Sequence, residues 1–176
     1  IPDRQGKGPV TVAETQASEQ SLAVPLLQLD AIEARILGSL IEKQATTPDG
    51  YPLTLNSVVA ACNQKSNRDP MSNYEPGAVG HALRQLEGKK LVTGTLNARA
   101  SRYAHKFEIG YNVTTRQRAL LAVLMLRGPQ TAAELRIHSD RLHRFADTSS
   151  VEGYLSELAA RANGALIIYD AAYRAF

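Results

Sequence analysis

Tryptophan is absent from this chain, and among its 176 residues cysteine occurs once. A lone Cys62 cannot close an internal disulfide, which excludes a disulfide-stapled secreted scaffold and points to a reducing, cytoplasmic setting. The four histidines are scattered, and His138 and His143 have no acidic or cysteine partner at ligand spacing. A zinc motif is therefore excluded, and no metal or cofactor is expected. No apolar run approaches the roughly 20 residues that a membrane helix needs, so no membrane partner is expected. The first residues are polar, with Gly and Pro, and do not form a secretory signal pattern. The start at Ile1 rather than Met suggests a longer translated product. The sequence has no glycine-rich phosphate loop, no Gly-x-Ser-x-Gly elbow and no carboxylate pair at a credible site. A non-enzymatic role is the expectation.

Charge of one sign is also scarce, because 20 basic residues face 17 acidic ones, for a net +3. The excess is local. Between Cys62 and Lys106 eight Lys or Arg accompany three Asp or Glu, a net +5 that leaves −2 for the remainder. A basic segment in a near-neutral chain points to a polyanionic partner.

Residues 1–25 lack periodicity and read as an extended arm. In "LDAIEARILGSLIEKQ", Leu29, Ile32, Ile36 and Leu40 share one helical face, with Asp30 near the N-terminus where a carboxylate is favoured. Two prolines and an Asp-Gly pair in "TTPDGYP" end that helix. "LTLNSVVAACNQ" predicts a second, shorter helix with Thr54 as N-cap. After the polar loop "KSNRDPMSNY", "EPGAVGHALRQLEGKK" predicts a third, with Pro76 in its first turn and Val79, Leu83 and Leu86 facing inward. "LVTGTLNARASRYAHKFEI" alternates as two strands, opened by Val92 and Thr95 and closed by Tyr103 and Phe107, with "NARAS" at the tip. Three short helices and a hairpin make the element order of a winged helix, a helix-turn-helix variant.

The same order recurs. "TTRQRALLAVLMLRG" places Leu120 and Leu124 where Ile36 and Leu40 stood, and Gly128 and Pro129 end it. "TAAELRIHSDRL" matches the second helix, Thr for Thr and Leu135 for Val58. Val151, Leu155 and Leu158 repeat the spacing of Val79, Leu83 and Leu86, and "ALIIYD" takes the place of the first hairpin strand. A repeat of this size is a duplicated domain. The expected fold is mainly α with small β-hairpins, α+β, as two tandem winged-helix domains: an arm over 1–25, a first domain over 26–110, and a second over 111–176 with a short wing.

The stretches "IEKQATTPDGYPLTLNSVVAACNQKSNRDP", "LRGPQTAAELRIHSDRLHRFAD" and "VEGYLSELA" resemble the YceH-like family of bacterial proteins, over about residues 29–168. The resemblance implies two winged-helix domains in tandem but little about activity, because the family is largely uncharacterised and its usual description goes no further than DNA-binding or regulatory protein. The chain departs from the family pattern in its longer arm and in the shortness of the segment after "LIIYD".

In a winged helix the third helix enters the major groove and the wing follows the backbone. On "ACNQKSNRDP", Lys65 and Arg68 can neutralise phosphates, and Asn67 can bond phosphate oxygens or base edges. The alternative is local: Asn63 and Asn67 cap helix ends and stabilise the turn, while Asp69 pairs with Arg68. On the third helix Arg84 and Gln85 are competent readers of guanine and adenine, although Glu87 lies beside them. Arg99, Arg102 and Lys106 supply the wing. A second basic cluster, Arg136, His138, Arg141, His143 and Arg144, has Asp140 and Asp147 close by, and "RLHRFAD" reads equally as a turn with Phe145 in the core. Cys62, in an apolar helix, reads as a small buried thiol.

Together these residues predict a cytoplasmic transcriptional regulator that binds double-stranded DNA through its first domain. The competing expectation is a protein-interaction or dimerisation adaptor, with "SLAVPLLQL" or "LIIY" docking on a neighbouring chain.

Overall fold

Asp30 begins the first helix with a capping box. Its carboxylate accepts from the Glu33 backbone N–H at 2.8 Å, and the Glu33 side chain accepts from the Asp30 N–H at 3.1 Å. Such reciprocal bonds satisfy donors that a helix start leaves unpaired. In the computed structural model, which describes residues 27–96 and 99–161, α1 runs over Ala31–Thr46. A two-residue strand β1 (Leu53–Thr54) leads into α2 (Leu55–Asn63), which Thr54 caps as its spacing predicts. Helix α3 covers Pro76–Gly88 with proline in its first turn. Strands β2 (Val92–Leu96) and β3 (Ser101–His105) follow, then a short α4 (Phe107–Tyr111). Three helices complete the described chain: α5 (Thr115–Arg127), α6 (Ala132–His138) and α7 (Thr148–Ala160). Thr114 and Thr131 open α5 and α6 with capping boxes, and Asp147 caps α7. The architecture is mainly helical with one small antiparallel sheet, an α+β fold.

The sheet has the order β1–β3–β2. Tyr103 sits between Leu53 and Gly94, and Arg102 between Thr54 and Thr95. Successive side chains point to opposite faces of a strand. Leu53, Val92, Tyr103 and His105 therefore face the helices, while Thr54, Thr95 and Arg102 face away. Phe107 does not close the second strand, as its alternation suggests. It starts α4 and is fully buried, its ring 4.8 Å from that of Tyr111.

Both predicted apolar triads are buried: Val79, Leu83 and Leu86 on α3, and Val151, Leu155 and Leu158 on α7. They belong to one continuous cluster that runs from Ile36 to Leu158. Its centre is the α1–α5 contact, where the two halves meet. Gly38 allows the close approach, since a Cβ there would lie 2.8 Å from Leu126 Cγ and 3.2 Å from the Ala122 carbonyl. Among the described residues no helix is long and apolar enough to cross a membrane. The arm over 1–25, Asn97 at the hairpin tip and the "ALIIYD" segment lie outside the described residues.

Candidate nucleic-acid interface

Helix α3 is amphipathic at helical spacing. Val79, Ala82, Leu83 and Leu86 are buried, while His81, Arg84 and Gln85 are exposed. The sequence places Arg84 and Gln85 outward, and there they are. Glu87 leans the other way, over Gly94 of β2, where a Cβ would clash with its carboxylate.

The hairpin beside α3 carries Arg99 and Arg102, both exposed. Arg102 lies on the outer face of the sheet and donates to the Pro52 carbonyl at 3.0 Å. Lys106 is exposed at the foot of the hairpin, where its backbone N–H donates to the Leu91 carbonyl. With Glu87, Lys90, Val92 and Ile109 it lines a groove of about 490 Å³.

The α2–α3 loop is arranged differently from the sequence expectation. Lys65 is exposed, but Arg68 points inward with a fully buried side chain. It makes a two-pronged ion pair with Glu42 of α1, at 2.9 and 3.0 Å, and its Nε donates to the Ala61 carbonyl at 3.0 Å. Burial pushes the Glu42 carboxyl up, but the Arg68 hydrogen bond and the charges of Arg68, Lys43 and Arg141 outweigh it, so the group lies below the usual value. Arg68 is thus removed from the phosphate-contacting set, because a guanidinium held by a buried carboxylate is not presented to solvent. Its partner is Glu42, not the neighbouring Asp69.

Asn67 adopts a left-handed conformation, φ 56°, which Asn tolerates better than most residues. Its Oδ1 accepts from Arg127 Nη2 at 2.6 Å and its carbonyl accepts from Arg68 Nη1 at 2.7 Å. Asn63 stabilises the turn as well: Nδ2 donates to the Tyr74 carbonyl, and Oδ1 accepts from the Tyr74 N–H. Buried Arg35 of α1 grips the same loop, donating to the carbonyls of Cys62 and Pro70 and to Ser72 Oγ. The residues that sequence reasoning missed are therefore Arg35 and Glu42. They lie seven apart with Ser39 between them, a polar stripe on a helix whose other buried residues after Glu33 are apolar or glycine. That stripe is the available signal.

The reactive side chains near the core are chemically quiet. Burial pushes the Cys62 thiol up to about 11, so it stays protonated near neutral pH. Burial likewise lowers His105 to about 4. Its Nδ1 accepts from the Phe107 N–H and its Nε2 faces Gln44 Oε1 at 2.7 Å. Those bonds describe a neutral ring with its proton on Nε2, so the 3.7 Å approach to Glu108 is not an ion pair. Glu108 instead pairs with Arg118. No group of three or more His, Cys, Asp or Glu among the described residues is placed to hold a metal ion.

In the second half Arg144 pairs with Asp140 at 3.0 Å, and Arg136 donates to the Ala146 carbonyl. His138 faces Gln130 at 2.6 Å, and Phe145 is buried against His143 and Tyr154. The stretch "RLHRFAD" is thus an inter-helix turn anchored on Phe145.

The family model described as "Protein of unknown function, DUF480" matches residues 29–171. The chain belongs to this family. Its relatives include a UPF0502 protein of Dechloromonas aromatica, 52% identical over 141 residues, which are 80% of this chain and 66% of that protein. A second, from Pseudomonas aeruginosa strain PAO1, is 54% identical over 133 residues, covering 76% of this chain and 60% of the relative. A third, from Stenotrophomonas maltophilia strain K279a, is 50% identical over 145 residues, covering 82% and 66%. These names agree with the YceH-like resemblance that the motifs carry. The chain spans between three fifths and two thirds of the length of these curated relatives.

Proposed function

We propose that this chain is a non-enzymatic, double-stranded DNA-binding part of a bacterial regulator, built from two winged-helix units over 26–110 and 111–176. The order α1–β1–α2–α3–β2–β3, with the sheet order β1–β3–β2, supports the winged-helix reading of the first unit. The observation that carries the DNA reading is the outward face of α3. It presents Arg84 and Gln85 beside a hairpin bearing Arg99 and Arg102. Arg and Gln make two-pronged hydrogen bonds to guanine and adenine in the major groove, and hairpin arginines follow the phosphate backbone. Lys65 and Lys106 add exposed positive charge on the same half.

Fluorescence anisotropy of random-sequence duplex across a salt series tests this reading. The expected result is sub-micromolar binding at moderate salt, with log affinity falling linearly with log salt. Arg99→Ala with Arg102→Ala should weaken binding and flatten the slope by up to about 2. No binding even at low salt would overturn the DNA reading. The exposed apolar side chains Leu96 and Ile109, 81% and 78% accessible, would then favour the adaptor alternative.

A further inference from the structure

Helices α3 and α7 align in sequence with an offset of 72 residues, which pairs Val79, Leu83 and Leu86 with Val151, Leu155 and Leu158. The same offset sets Glu152, Ser156 and Glu157 of α7 where α3 has Gly80, Arg84 and Gln85. All three α7 residues are exposed. Two carboxylates at these positions repel a phosphate backbone, so the second half is built against reading DNA with its own third helix.

The second half instead holds the α2–α3 loop of the first. The Leu126 carbonyl, at the end of α5, accepts from the Asp69 N–H at 2.9 Å. Arg127 donates to Asn67 Oδ1 at 2.6 Å. From the turn after α6, Arg141 reaches Glu42 Oε2 at 3.3 Å, the same carboxylate that Arg68 grips. The loop is thus fastened on one side by α1, through Glu42 and Arg35, and on the other by α5 and the α6–α7 turn. It leads directly into Pro76, the first residue of α3.

We propose that the second half is a positioning unit for the DNA-facing first half, and that Arg127 and Arg141 are its positioning residues. The proposal rests on the DNA reading above. Neither arginine is asked to touch DNA. Arg127 holds the loop directly and Arg141 holds it through Glu42, and the place of the loop sets the start of α3.

The test uses the whole chain with Arg127→Ala and Arg141→Ala combined, followed by hydrogen exchange and duplex binding. Exchange across residues 64–75 should accelerate about tenfold, while α1 and α5 keep their protection. Loosening that leaves about one fifth of molecules competent weakens apparent affinity about fivefold. The salt slope should stay unchanged, because no phosphate contact is lost. A slope lower by roughly 0.9 per arginine would mean direct phosphate contacts and would overturn the proposal. Unchanged loop exchange, or faster exchange with unchanged affinity, overturns it equally. Should the parent chain bind no duplex, the DNA reading fails and the loop exchange alone decides whether the second half fastens the loop. If the double variant does not fold, Arg127→Ala alone leaves the Glu42 cluster intact and supports the same measurement.

Discussion

Arg68 and Arg84 are both arginines on a basic segment, and their surroundings give them opposite roles. A buried guanidinium paired with a buried carboxylate cannot lose its partner without leaving an uncompensated charge. Arg68→Ala should therefore cost about 3–5 kcal/mol, read from the shift of a urea unfolding curve. Arg84→Ala, on an exposed helix face, should stay within about 0.5 kcal/mol in the same experiment. The outward position of Arg84 is legible from apolar periodicity alone, because burial of Val79, Leu83 and Leu86 fixes the rotation of the helix. The inward position of Arg68 is not. Its carboxylate partner lies 26 residues away, on another helix, whereas Asp69 stands next to it in sequence. Local pairing rules favour Asp69, and tertiary structure overrides them.

Elements follow the sequence where their signals are local. Asp30, Thr54, Thr114 and Thr131 start helices because a short side-chain oxygen accepts a free backbone N–H, a rule that needs no knowledge of the fold. Strand β1 is two residues long and has no period to detect, so it exists only through its pairing with β3. Phe107 keeps the alternation of β3 but is drawn into α4 by the core beneath it. The packing of α1 on α5 is likewise a matter of contact rather than pattern. Gly38→Ala would press a methyl against Leu126 and the Ala122 carbonyl, with little room for the backbone to yield. Overpacking of this kind should lower stability by about 1–3 kcal/mol, measured by thermal unfolding of the variant beside the parent. An equally stable variant would mean that α1 and α5 can part enough to admit the methyl.

At the scale of the whole molecule, the repeat is legible and its consequence is not. Matching triads on α3 and α7 suggest two independent units, yet the apolar cluster runs unbroken through both. Proteins with one continuous core unfold in one step. Far-ultraviolet circular dichroism and tyrosine fluorescence should therefore give coincident urea transitions, and two separated midpoints would show that the halves unfold apart. The glycine at the centre of that core also bears on how the chain can be divided. Two halves pressed together through Gly38 and Leu126 are not interchangeable cassettes, because a cut that frees one from the other bares an apolar helix face with nothing to cover it. Each half is in that sense the other's solvent shield, and neither can be excised without wetting the oily seam between them.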